Sequence, residues 1–290
     1  MRFLQPQTLE EALELKTQAP EAVPLAGGTD LMVELNFDRR RPQTIMDLTR
    51  VAELRQWHRD NGEFAIGPGM TYTRLLAELG GELPGLALAS RTVGSPQIRN
   101  RGTLGGNLGT ASAAGDALPP LVAAGARIEV ASQQGSRTLA IADFLVGAKK
   151  NALEPDELIT GIRVRRARGP QQFSKIGTRN AMVIAVCSFA LDLDAEARKV
   201  GTGIGSAGPV TVRAAAAESF LQDALQEKGL WESRADIPES SSDRFAELVA
   251  EAASPIDDVR GTAAYRRRAL TVMGRRTLAW AWDEYRGGRP

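Results

Sequence analysis

Arg99-Asn100-Arg101-Gly102-Thr103-Leu104-Gly105-Gly106-Asn107-Leu108-Gly109-Thr110 is the stretch from which the fold is read. A glycine pair flanked by the hydroxyl of Thr103 and the amide of Asn107 suits a backbone that approaches a phosphate with no Cβ in the way. Its twin lies upstream in Leu25-Ala26-Gly27-Gly28-Thr29-Asp30-Leu31. There Val23-Pro24-Leu25-Ala26 reads as a strand ending on the glycines, with a helix-like Leu31-Met32-Val33 behind them. Alone, that pair has two readings, a tight turn or a phosphate-holding loop. Two such loops suit the two ends of one diphosphate. Beyond Asn107 stands Asp116, which reads either as an acceptor for ribose or ribityl hydroxyls or as the cap of a helix from Ala117 to Ala124.

A third glycine cluster, Gly203-Ile204-Gly205-Ser206-Ala207-Gly208, matches the Gly-x-Gly-x-x-Gly string of dinucleotide folds. That fingerprint needs its last glycine inside the first turn of a helix, whereas Pro209-Val210-Thr211-Val212 reads as extended chain. The string is therefore read as a strand followed by a turn.

The rest of the chain supplies the frame. Thr8 and Glu11 form a capping box for a helix to about Thr17, and Thr44 to Leu48 is a buried strand. Phe64-Ala65-Ile66, Ala126 to Ala131, Leu139 to Ile141 and Leu158 to Val164 read as strands, with helices from about Thr71 and through Leu86 to Ala89. Arg165-Arg166-Ala167-Arg168-Gly169-Pro170 marks a seam. Beyond it Phe173 to Ile176, Ala185 to Leu193 and Val200 to Ile204 suit an antiparallel meander. Helices then cover Arg213 to Leu225, Asp243 to Ala253 and Thr262 to Tyr285, with Leu270, Met273, Thr277 and Trp280 on one face of the last. The class is α+β, in three parts: a lobe over 1–55, a second over 56–170 and a C-terminal domain over 171–290.

The 290 residues are 43% hydrophobic and 24% charged, with a net charge of +1, which gives no reason to expect a nucleic-acid partner. No segment has the apolar length of a membrane span, and the N-terminus lacks the apolar core of a signal peptide, so a cytoplasmic protein is expected. One cysteine, Cys187, and one histidine, His58, exclude a Cys/His zinc site, an iron–sulfur cluster and an internal disulfide built from this chain alone. Redox chemistry has to come from a cofactor. Cys187 sits in an apolar run and reads as a buried small hydrophobe; His58 reads as a surface-loop residue. No side chain is singled out as catalytic. The eight arginines from Arg260 to Arg289 read as a solvated helical face or as a docking surface for an acidic partner.

Taken in order, Ala26-Gly27-Gly28-Thr29-Asp30-Leu31, Ile98 to Asn107 and Thr110-Ala111-Ser112-Ala113-Ala114-Gly115-Asp116 strongly resemble the FAD-binding medium subunit of molybdenum hydroxylases. This family includes the flavoprotein subunits of xanthine dehydrogenase and carbon monoxide dehydrogenase. Lys175 with Arg179, Pro209 with Arg213 and Glu218, and Arg260 to Arg267 continue the resemblance to the end of the chain. It implies a vanillyl-alcohol-oxidase-type FAD fold of two α/β lobes, with a small antiparallel sheet and helices in the C-terminal domain. It further implies that Pro24, Leu25, Ala26, Gly27, Gly28, Thr29, Asp30 and Leu31, together with Thr103, Leu104, Gly105, Gly106 and Asn107, wrap the pyrophosphate and ribityl parts of FAD. Most of those contacts are expected from backbone amides. Asp116 is expected to bind the cofactor's hydroxyls, and Val93, Ile159 and Lys175 match further contact positions.

The implied partners are a large molybdenum-cofactor subunit and a small subunit with [2Fe-2S] clusters, in a dimer of heterotrimers. Electrons would pass from those clusters through FAD to NAD or another acceptor. Thr29-Asp30 looks more like the xanthine-dehydrogenase branch, so a purine or another N-heteroaromatic is the expected substrate. Some relatives carry an extra cysteine-ligated cluster in this subunit, which a single cysteine does not support. A self-contained flavin oxidase and a non-redox nucleotide-binding module remain the competing readings.

Overall fold

The computed structural model describes residues 1–287, so Arg289 lies outside the described residues. Strand β1 (Arg2–Leu4) leads to helix α1 (Leu9–Gln18), where Thr8 Oγ1 accepts from the Glu11 amide at 3.1 Å. The Glu11 carboxylate answers one residue earlier than a capping box requires, accepting from the Gln7 amide at 2.6 Å. Then follow β2 (Val23–Leu25), α2 (Leu31–Asn36) and β3 (Thr44–Asp47). These strands form a parallel sheet in the order β1-β3-β2, the arrangement that helical crossovers permit. Leu4, Ala12, Met46 and Leu54 are buried in its core.

Strands β4 (Trp57–Asp60) and β5 (Glu63–Ile66) are joined through Asn61 and Gly62, both at positive φ (49° and 81°). Asn-Gly is the favoured two-residue hairpin turn, because its twist matches that of the strands. His58 is therefore an exposed strand residue and not part of a loop. Helices α3 (Tyr72–Glu78), α4 (Pro84–Arg91), α5 (Pro96–Arg101), α6 (Leu104–Thr110) and α7 (Leu118–Ala123) follow. Next come β6 (Arg127–Ser132), β7 (Gly135–Ala140), α8 (Ile141–Phe144), β8 (Leu145–Gly147), β9 (Lys150–Asn151) and β10 (Leu158–Arg165). The five-stranded antiparallel sheet runs β4-β5-β10-β6-β7, and β8 pairs with β9.

The remainder opens with β11 (Gln171–Ile176), β12 (Cys187–Asp194) and β13 (Lys199–Gly205), an antiparallel meander in register with its expected strands. Helices α9 (Ala215–Glu227), α10 (Leu230–Ser233), α11 (Glu239–Glu251) and α12 (Ala263–Gly287) close the chain. Phe189 and Phe245 meet edge to face at 6.3 Å in this core, with Leu221, Leu270 and Trp282 buried among the same residues. On α12 the apolar stripe runs through Leu270, Met273 and Thr277 as expected but continues at Ala281, leaving Trp280 half exposed. At 3.6 residues per turn a step of three turns back and a step of four turns forward, so Ala281 returns toward the centre of the stripe while Trp280, a second step of three, lies beyond its edge.

Two units result, and each is interleaved in sequence. One comprises 1–78, 94–112 and 126–165; the other comprises 79–93, 113–125 and 166 onward. In the second unit α7 packs on β13, and the glycines of the rejected fingerprint explain how. A Cβ on Gly203 would stand 2.0 Å from Pro119 O and one on Gly205 2.4 Å from Ser188 Oγ, so this strand face is bare to admit a neighbour. Glu218, matched to a family motif by sequence, is buried and accepts from the Thr202 amide (2.8 Å), the Thr202 hydroxyl (2.7 Å) and Arg213, so its role here is architectural.

Candidate functional site: a glycine cradle and a buried carboxylate

In the first unit, β2 runs parallel to β3 as far as Leu25 opposite Asp47, and the chain then leaves the sheet at Ala26. Gly27 lies against the end of α5: a Cβ there would stand 1.9 Å from the Arg101 carbonyl oxygen. Gly28 has φ +77°, the left-handed region that glycine enters without strain. Its carbonyl accepts from the Met32 amide at 3.0 Å, which starts α2 on the buried Leu31. Asp30 does not cap α2 with its side chain; its carboxylate accepts from Thr110 Oγ1 at 2.8 Å. That bond ties the two motifs 24–31 and 103–110 together within one unit. Among the described residues, the amides of Gly27, Gly28, Thr29 and Asp30 donate to no protein atom.

The second glycine pair is built differently. Gly105 and Gly106 are not in a loop; they lie in the first turn of α6, whose N-cap is Thr103. The amides of that turn are all used: Leu104 donates to Met70 O (3.0 Å), Gly105 to Pro68 O (2.8 Å) and Asn107 to Thr103 O (3.1 Å). Gly106 donates to Thr103 Oγ1 at 3.0 Å. The expectation that this pair acts through its backbone amides therefore fails, because the N-cap and the 68–70 turn satisfy them first. What it offers instead is the Asn107 side chain, whose Oδ1 is buried with no hydrogen-bond partner. Ile159, buried, stands beside a register shift of β10 against β6, a bulge of the kind that re-aims side chains.

In the second unit Asp116 is not a helix cap: α7 begins after Ala117 with no side-chain cap. Its Oδ2 accepts from Lys175 Nζ at 2.6 Å and from Thr92 Oγ1 at 3.4 Å, and Lys175 also donates to Thr92 O at 3.3 Å. Both ionic side chains are buried to nine-tenths or so, at 7% and 10% exposure. Asp116 Oδ1 is buried without a partner. Burial pushes the Asp116 carboxyl above its ordinary range, against the opposing pull of Lys175. Its contribution to folding is thus present below the ordinary carboxylate value and lost as pH rises through the raised one. Val93 neighbours Thr92 and is half-buried. Thr92, whose hydroxyl and carbonyl serve the pair, carried no signal of this role in the sequence, and neither did the Arg101 carbonyl.

Each unit holds groups that fit part of a dinucleotide. In the first, unpartnered amides around a bare Cα suit a pyrophosphate and the free Asn107 amide oxygen suits a hydroxyl; in the second, the free Asp116 oxygen suits a ribose or ribityl hydroxyl. Elsewhere the chemistry is quiet. Among the described residues no group of His, Cys, Asp and Glu is placed to hold a metal, and no helix is long and apolar enough to cross a membrane. Cys187 is buried and its thiol is pushed up to about 12.

Known proteins share the sequence pattern and the fold. The sequence model for the FAD binding domain in molybdopterin dehydrogenase matches residues 1–166, and that for the CO dehydrogenase flavoprotein C-terminal domain matches 172–281. The chain is 29% identical to nicotine 6-hydroxylase medium subunit of Paenarthrobacter nicotinovorans over 97% of each. It is 32% identical to caffeine dehydrogenase subunit beta of a Pseudomonas species over 76% of this chain and 77% of that one. Among solved structures, a chain of carbon monoxide dehydrogenase from Hydrogenophaga pseudoflava superposes with a TM-score of 0.87 at 25% identity, covering 97% of both. With both halves of the sequence and the fold in agreement, the chain belongs to the FAD-binding medium subunits of the molybdenum hydroxylases, the flavoprotein components of multi-subunit oxidoreductases.

Proposed function

We propose that this chain is the electron-passing subunit of a molybdenum-containing hydroxylase, with a vanillyl-alcohol-oxidase-type FAD fold. A small partner with [2Fe-2S] clusters supplies the electrons, NAD or another carrier accepts them, and the organic substrate is oxidised on a large molybdenum-cofactor partner. The assembly is a dimer of such heterotrimers. The relatives named for nicotine and caffeine support an N-heteroaromatic substrate.

The observation that carries the reading is the set of free amides from Gly27 to Asp30 beside a Cα pressed on Arg101 O. When bound, FAD supplies a group that takes electrons singly and releases them in pairs, which suits a junction between clusters and a two-electron carrier. The chain's own residues bind and orient it. The Gly27–Asp30 amides donate to the pyrophosphate, and Pro24, Leu25, Ala26 and Leu31 hold that loop in place. Thr103 and Leu104, with the small Gly105 and Gly106 packed behind them, set the turn from which the Asn107 amide side chain approaches the cofactor. Asp116 accepts from its hydroxyls through Oδ1, with Lys175 holding the carboxylate, and Val93 and Ile159 add apolar contact. No side chain of this chain is assigned a proton-transfer role.

The test is purification of the chain with whatever co-purifies, followed by metal analysis and titration of the flavin-stripped chain with FAD and with FMN. Stoichiometric FAD binding, much weaker FMN binding, and molybdenum and iron in the co-purified partners are expected. A chain that takes up no flavin would establish the non-redox module instead. Reduction of its flavin by small organic substrates without partners would establish the self-contained oxidase.

A further inference from the structure

Arg266 of α12 is matched by sequence to the family's closing signature and grouped there with surface arginines, yet it is 3% exposed. Its Nη1 donates to Ser206 O at 2.6 Å and its Nη2 to Asp258 Oδ1 at 2.5 Å, while Nε is buried with no partner. Ser206 stands in the left-handed region at φ 57°, its hydroxyl also buried and unpartnered, and its amide donates to Ala113 O at 2.7 Å. A positive φ on a residue with a Cβ, an orphaned hydroxyl and an incompletely bonded guanidinium all oppose stability, and apolar packing would serve a core better. What the three maintain is a fixed position for Ala113, three residues before Asp116. The segment is then clamped at both ends, by Ser206 at Ala113 and by Lys175 and Thr92 at Asp116.

We propose that Arg266 is a positioning residue for the flavin site. Anchored by Asp258, it holds the Ser206 carbonyl, and through the Ser206 amide and Ala113 it sets where Asp116 presents its free Oδ1. This inference rests on the reading that Asp116 accepts from bound FAD.

The experiment is titration of FAD onto the flavin-stripped, full-length chain carrying Arg266→Met, Arg266→Lys, Asp116→Asn or the Arg266→Met/Asp116→Asn pair, with urea unfolding of each. Arg266→Met should weaken FAD binding roughly tenfold, the size of a lost hydrogen bond to a charged group. Arg266→Lys keeps a donor for Ser206 O and should recover most of that affinity. With Asn at 116 the methionine change should add little, because both act through one contact. Should Arg266→Met leave too little folded chain, Asp258→Asn reads the same linkage from its outer end and should weaken FAD in the same direction. A lower unfolding midpoint with unchanged FAD affinity would overturn the proposal, as would equal losses with Asp or Asn at 116. If Asp116→Asn alone leaves FAD affinity unchanged, the assignment of Asp116 itself fails and this inference with it. Weakening by Asp116→Asn with a silent Arg266→Met defeats the inference alone.

Discussion

Two glycine pairs of the same composition do different work in one unit. Gly27-Gly28 follows a strand, carries one residue at φ +77° and leaves its amides free. Gly105-Gly106 sits in the first turn of α6 with every amide bonded to protein. The first pair keeps the donors that the proposed cradle needs, while the second is a packing device that lets α6 start against the 68–70 turn. A glycine pair is thus informative about chemistry only when something has not already consumed its N–H groups.

Substitutions turn this contrast into graded expectations. The largest effect belongs to Gly27→Ala, whose Cβ would meet a backbone carbonyl at 1.9 Å. Urea unfolding should show a loss of about 3 kcal/mol or more, with FAD retention lost in parallel. Gly105→Ala comes next: its Cβ would lie 2.4 Å from Pro68 Cβ and 2.7 Å from Pro68 O. About 2 kcal/mol of stability should go, partly offset by the better helix propensity of alanine, while FAD binds the surviving folded chain nearly as before. Thr103→Ala removes the cap from α6 and should lower the unfolding free energy by about 1 kcal/mol. Gly106→Ala is the mildest, since its Cβ meets only Thr103 Oγ1 at 3.1 Å. Its unfolding free energy should stay within about 0.5 kcal/mol of the parent, helix propensity offsetting the tight contact. A tenfold loss of FAD affinity in isothermal titration of Gly106→Ala would break the contrast and show that the first turn of α6 lies against the cofactor.

Arg266 teaches a related lesson about charge. Counted along the chain it belongs to a basic C-terminus, but in the structure it is a core residue, whereas Arg267 and Arg268 beside it are exposed. Arg275 and Arg286 pair with Asp243 and Asp236. A run of arginines on a helix rotates through every face, so the count alone says nothing about which of them solvent meets.

Much of the architecture was legible. The meander of β11 to β13 and strand β6 announced themselves through alternation and turn residues, which act over a few neighbours, whereas β7 starts earlier than Leu139, at Gly135, and gives Ile141 to α8 because its exposed residues carry no apolar alternation. So did the cap at Thr8, and the failure of the 203–208 string as a fingerprint followed from the absence of a helix behind it. Not legible were β4, whose polar Trp57–Asp60 shows no apolar alternation ahead of the Asn61-Gly62 turn, and α10, four residues long and too short to show a period.

The sequence alone determined which residue types the site contains and that its redox chemistry comes from a cofactor, since one cysteine and one histidine build no cluster. Tertiary structure alone decided which amides are free, that Asp116 faces Lys175 and Thr92, and that Arg266 turns inward. Those outcomes depend on contacts between residues 24 to 83 positions apart, and no local propensity encodes who occupies a donor first.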